Sequence, residues 1–168
     1  MRPAAQPCLA RFGAMLGCAL ALLAAACSRS PSAGGVPTRA LDAAVAHAIG
    51  DPATCLLMAQ AATGRVVYRY GDGFNCARPL PACDRPGTLS AQSALPLAST
   101  PGGRFASCAS VADGSRMVGW AEAKVPDAKG DLVYSAVMEG PNALPGRWIN
   151  SRLADAFARA GVSSAPGH

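Results

Sequence analysis

Charge, aromatics, lysine and histidine are all scarce in this chain. Of its 168 residues, 15% are charged and 5% aromatic; lysine occurs only at Lys124 and Lys129, and histidine only at His47 and His168. Two such distant histidines, with no Cys-x-x-Cys anywhere, offer no tetrahedral zinc site. The basic residues are scattered rather than run together, which leaves nucleic-acid binding without an electrostatic footprint. Gly102-Gly103-Arg104 lacks the strand, glycine-rich loop and helix of a phosphate cradle, so no cofactor is expected either.

What is present begins at the N-terminus. Arg2 and Arg11 make a positive start, Phe12 to Ala26 is an apolar run, and Leu22-Leu23-Ala24-Ala25-Ala26-Cys27 closes it with small residues. The run is short for a helix that must cross a bilayer, which needs roughly 20 apolar residues. The pattern resembles a bacterial lipoprotein signal peptide over residues 1–26, with Ala24 in place of the usual leucine three positions before the cysteine. That resemblance implies lipid on Cys27 as the first mature residue, membrane attachment through it, and a periplasm-facing protein. Residues 27–37 read as a flexible tether of small and breaker residues. Residues 38–162 then read as one domain and 163–168 as a disordered tail. Net charge falls from +5 to +3 when Arg2 and Arg11 leave with the signal.

Cys55, Cys76, Cys83 and Cys108 remain in the mature domain. Four cysteines in an exported chain imply two disulfides, for which three pairings exist. Proximity in sequence favours Cys76–Cys83, closing a proline-rich loop, with Cys55–Cys108 joining two strands.

The domain reads as helix, hairpin, irregular loop, three-strand meander and helix. Thr38 is placed to cap a helix whose Leu41, Val45, Ala48 and Ile49 share a face, and Gly50 ends it. The runs 55–59 and 65–70 flank Ala61-Ala62-Thr63-Gly64 as a hairpin, its first strand apolar on both faces and therefore central. Ten Gly and Pro residues between Gly71 and Gly103 predict an irregular excursion with one short helical turn near Ser90 to Leu95. Arg104 to Val111 and Arg116 to Val125 bracket Asp113-Gly114, and Leu132 to Met138 completes the meander. Leu144 to Ala160 carries a stripe of Ile149, Leu153, Ala156, Phe157 and Ala160. The expected class is α+β: about five antiparallel strands flanked by N- and C-terminal helices, with a long irregular disulfide-braced loop.

The segment Leu56 to Tyr68, with its Thr63-Gly64 turn, is similar to the first hairpin of penicillin-binding proteins and serine β-lactamases. Val118 to Ala123 and Leu132 to Glu139 resemble that family's closing strands, and the resemblance implies its sheet-and-helix scaffold. It implies none of the catalysis. No serine stands three residues before Lys124 or Lys129, no Lys-Thr-Gly strand occurs, and the helical insert that houses the nucleophile is replaced by the breaker-rich loop. The same order of elements suits a profilin-like or roadblock-like sandwich, and fold alone confers no function.

Other chemistry is thin. His47 lies mid-helix among apolar neighbours, Ser107, Ser110 and Ser115 have no evident histidine partner, and Glu122 and Glu139 read as solvated strand-end charges. A binding surface is the remaining possibility, built from Trp120, Trp148, Arg147 and Arg152. The expectation is a non-catalytic binding or structural module of the envelope, with an envelope protein as partner. Its alternatives are an inhibitor or immunity-type lipoprotein that blocks an envelope enzyme with loop 71–103, and a degenerate serine hydrolase.

Overall fold

Leu41, Val45, Ala48 and Ile49 recur at three- and four-residue steps and form the buried stripe of helix α1, Thr38–Ile49. A computed structural model describes residues 36–128 and 130–164. The expected signal peptide, the lipid site at Cys27, most of the tether and the last four residues of the tail lie outside the described residues. Thr38 does not cap α1: Pro37 takes the cap position, its carbonyl accepting the Leu41 N–H at 3.0 Å, and Thr38 is already helical.

Strands β1, Cys55–Gln60, and β2, Val66–Tyr70, form the expected antiparallel hairpin. Gly64 in its turn has φ 67°, a left-handed conformation that only glycine adopts without strain. After the excursion come β5, Arg104–Ala109, β6, Met117–Lys124, and β7, Leu132–Gly140. These five strands make one antiparallel sheet in the order β2-β1-β7-β6-β5. The long C-terminal strand thus runs between β1 and β6, and every residue of β7 is buried.

Side chains alternate across the sheet and divide the core in two. Leu56 and Met58 of β1, with Tyr134 and Ala136 of β7, meet α1 and the last helix α4, Gly146–Arg159. Tyr134 packs edge-on against Phe157, ring centroids 5.2 Å apart, and its hydroxyl donates to Asn150 Oδ1. Cys55, Leu57 and Ala59 face the other way, with Val118, Trp120, Val133 and Val137.

Residues 71–103 cover that second face and are more regular than their breakers suggest. They fold as α2, Gly73–Ala77, a two-residue ladder of β3, Leu80–Pro81, with β4, Thr88–Leu89, then α3, Ala91–Ala94, and a 3-10 turn over Leu95–Ser99. Each piece is short, as proline and glycine require, and local caps hold it. Asp72 accepts the Asn75 N–H at 2.7 Å, and Ser90 and Ser93 cap each other's backbone. Cys76, Leu80, Ala91, Ala94, Leu95 and Ala98 are thereby buried against the sheet.

The disulfides differ from the favoured pairing: they are Cys55–Cys76 and Cys83–Cys108, with Cα–Cα distances of 5.1 and 5.4 Å. Strand order explains the correction. Cys55 on β1 and Cys108 on β5 are separated by β7 and β6, three inter-strand steps or about 14 Å, whereas a disulfide spans roughly 4.4–6.8 Å between Cα atoms. Instead, both bridges fasten the first half of the excursion to the sheet, Cys76 to β1 and Cys83 to β5. Both Cys55 and Cys76 are fully buried; Cys83 and Cys108 are partly exposed, and Cys83 is one of two non-glycine residues at positive φ among those described.

Candidate interaction surface

Gly146 fixes how α4 sits. Its N–H donates to Ser107 Oγ at 2.8 Å, and a Cβ at that position would lie 2.0 Å from the Trp120 carbonyl oxygen and 2.8 Å from that of Ala106. Only a residue without a side chain lets the helix start directly on the β5–β6 backbone. With the start pinned and Ile149, Leu153, Ala156 and Phe157 turned to the core, the opposite face presents Arg147, Trp148, Ser151, Arg152, Asp155 and Arg159 to solvent. Trp148 is 61% exposed.

Arg147, Trp148, Ser151 and Arg152 line a surface recess of about 500 Å³. Arg152 also borders a second recess of about 290 Å³, with His47, Ala48, Asp155 and Arg159. Its Nη1 donates to the Ala48 carbonyl at 3.2 Å, placing a positive charge at the C-terminal end of α1, where free carbonyls favour one. Three of the four expected surface residues therefore come together, and Ser151 and Arg159 join them. Their positions one and two turns from Trp148 and Arg152 are the sequence signal that would have added them.

Trp120 is not among them. It is fully buried on the sheet face opposite α4, and its indole N–H donates to the Pro81 carbonyl at 2.7 Å. Its expected place in a binding patch is corrected to one in the core.

Nor are the two strand glutamates solvated: Glu122 is 0% and Glu139 5% exposed. Glu139 receives Arg116 bidentately, Nε at 2.8 Å and Nη2 at 2.7 Å, with Arg78 at 3.0 Å and the Ser110 hydroxyl at 2.7 Å. The Arg116 bonds, above all, hold its carboxyl down at about 2. This cluster ties α2's trailing residue to the β5–β6 hairpin. Glu122 lies beneath the excursion, 2.9 Å from Arg104 Nε, and Arg104 in turn lies 3.4 Å from Asp84. Burial pushes Glu122 up to about 7, with Arg104 opposing. Register puts Glu122 beside Arg104 on one strand and Ser135 on the other. Within this row the glutamate oxygens, the guanidinium nitrogens and Ser135 Oγ find no well-aligned hydrogen bond among the described residues, so charge proximity is what balances the pair.

The serines are occupied structurally. Ser107 accepts the Gly146 N–H, Ser110 donates to Glu139, and Ser115 donates to Asp113 in its turn. None of these bonds involves an imidazole or an ammonium group. A further groove of about 380 Å³ opens between the sheet and the 3-10 turn, lined by Leu57, Ala59, Val133, Leu95, Pro96 and neighbours that include Gln60 and Gln92; it carries no ionisable side chain. Among the described residues, no helix is long and apolar enough to cross a membrane. Compared with known proteins, the chain matches no family model, no curated protein and no solved structure.

Proposed function

We propose that the protein is a lipoprotein of the cell envelope, held to a membrane through Cys27 and facing the periplasm, whose domain acts as a non-catalytic binding or structural module with an envelope partner. The observation that carries the binding part is Trp148, largely exposed between Arg147 and Arg152 over a recess. Exposing a tryptophan to water is unfavourable, and a helix that turns one outward beside two guanidinium groups has the composition of an interface hot spot. Phe74 on α2 is also exposed, at 70%, yet it lies on the other layer, away from this arginine face.

The structural engagement of Ser107, Ser110 and Ser115 supports the non-catalytic part. Activation needs a neighbouring base free to take the proton, whereas Ser107 accepts a backbone N–H, Ser110 donates to a Glu139 carboxylate already held by Arg116 and Arg78, and Ser115 donates to Asp113 within its own turn. The resemblance to penicillin-binding enzymes is thus carried no further than a scaffold. The inhibitor alternative loses its main feature, because residues 71–103 lie down on the sheet and bury six of their side chains there instead of projecting.

A labelled penicillin and a fluorophosphonate probe test this reading. The expected result is an unmodified intact mass after prolonged incubation. A stable adduct that maps to any serine overturns it.

A further inference from the structure

The arginine and tryptophan face of α4 has a composition that selects among anionic partners. Along its exposed side stand Arg147, Arg152 and Arg159 against the single acid Asp155, with Trp148 between the first two. Guanidinium groups grip phosphate oxygens in a fixed, forked geometry, and the Ser151 hydroxyl adds a neutral donor in the same recess. An indole has its most favourable position at the boundary between headgroups and acyl chains, where its ring is in an apolar setting and its N–H remains wet.

The point where the chain enters the domain adds an independent argument. Val36 is 3% exposed and packs in the core layer shared by α1 and α4, on the same side of the sheet as the arginine face. Nine residue steps separate it from Cys27, a contour of at most about 32 Å. A lipid on Cys27 therefore keeps the domain within reach of the bilayer at an effective concentration in the millimolar range, with the chain entering on the side of the α1 and α4 layer. A lipid chain and a basic patch together make the two-signal arrangement that gives durable membrane attachment.

We infer that the outer face of α4 docks onto anionic phospholipid headgroups of the membrane that carries the Cys27 lipid, with Trp148 inserted at the interface and Arg147 and Arg152 on the phosphates. This rests on the tethered reading above and gives it an orientation. The helical layer lies on the membrane, and the excursion, with its uncharged groove, faces away from it.

The test uses the mature chain from residue 27 with Cys27→Ser, so that docking is read without any acyl chain and stands or falls separately from lipidation. Vesicles of phosphatidylcholine, alone or with about one third phosphatidylglycerol, carry bromine on the acyl chains. Expected are co-flotation with the anionic vesicles only, quenching of tryptophan fluorescence there, and loss of both in high salt. Buried Trp120 supplies the unquenched background, and Trp148→Phe removes the quenched component. Each charge near an anionic surface changes partitioning about fivefold, so Arg147→Glu, a change of two charges, should lower it on the order of thirtyfold. Equal partitioning to neutral and anionic vesicles, no partitioning, or quenching that survives Trp148→Phe overturns the proposal. Asn150 and Ser151 need no alteration in this design, and the circular dichroism of each variant verifies its fold.

Discussion

Trp120→Ala should lower the melting temperature by about 10–20 °C. Trp120 is the largest fully buried side chain among those described, and its indole N–H satisfies the Pro81 carbonyl at 2.7 Å. Truncating a buried tryptophan typically costs about 3–5 kcal/mol through lost transfer energy and the cavity left behind. Here it also strands a carbonyl of the excursion. For a domain of this size each kcal/mol corresponds to roughly 3–5 °C, and a total stability of about 5–15 kcal/mol makes the loss a large fraction of the whole. Trp148→Ala is the contrast. On the solvent face of α4 it should shift stability by no more than about 0.5 kcal/mol. Thermal melts of both variants by circular dichroism check the pair, and similar losses would contradict the division of the two tryptophans between core and surface.

Stability should also fall as pH rises from about 5 to 7.5, the reverse of the usual trend for a carboxylate held by arginine. Glu122 is pushed from 4.5 up to about 7 by burial, so the native state binds its proton more tightly than the unfolded chain does. Its contribution is complete below about 4.5 and is lost as pH climbs through 7, at no more than about 1.4 kcal/mol per pH unit and on the order of 3 kcal/mol in total. Glu139 acts in the opposite window. Held down at about 2 by Arg116, Ser110 and Arg78, it stabilises the fold above 4.5 and loses that contribution as pH falls toward 2. Maximum stability should therefore lie near pH 5. Glu122→Gln removes the alkaline slope while leaving the acid one, because glutamine does not titrate. Urea melts at half-unit intervals measure both, and an unchanged slope in the Glu122→Gln variant would contradict the assignment.

Much of the fold was legible because its outer helices and its hairpin carry strong periodic signals. The stripes of α1 and α4 allow only one buried face each, and Thr63-Gly64 between two apolar runs allows little besides a turn. The excursion was harder to read, since its elements are two to five residues long, too short to show a period. Disulfide pairing was harder still. It depends on β7 entering between β1 and β6, a non-sequential neighbour relation that spacing along the chain does not encode.

The candidate surface divides along the same line. Val118-Gly119-Trp120-Ala121-Glu122 is buried in both phases of the strand, so alternation has no polar phase to mark a solvent face, and Trp120 and Glu122 could be placed only by seeing the excursion close over them. Trp148 and Arg152, one helical turn apart, fall outside the apolar stripe of α4 and are exposed, a position that the 3.6-residue period makes legible. Gly146 could not be interpreted from sequence, because what it permits is contact with a strand that lies 26 residues earlier in the chain.

The central claim is that a lipid on Cys27 holds this domain at a membrane as a binding module. Metabolic labelling with a clickable fatty acid, followed by fractionation of wild type and Cys27→Ala, tests it most directly. The account predicts labelled wild-type protein in the membrane fraction, and an unlabelled Cys27→Ala protein that has lost stable, salt-resistant membrane attachment. Equal labelling of the two proteins, or wild-type protein that carries no label, would contradict it.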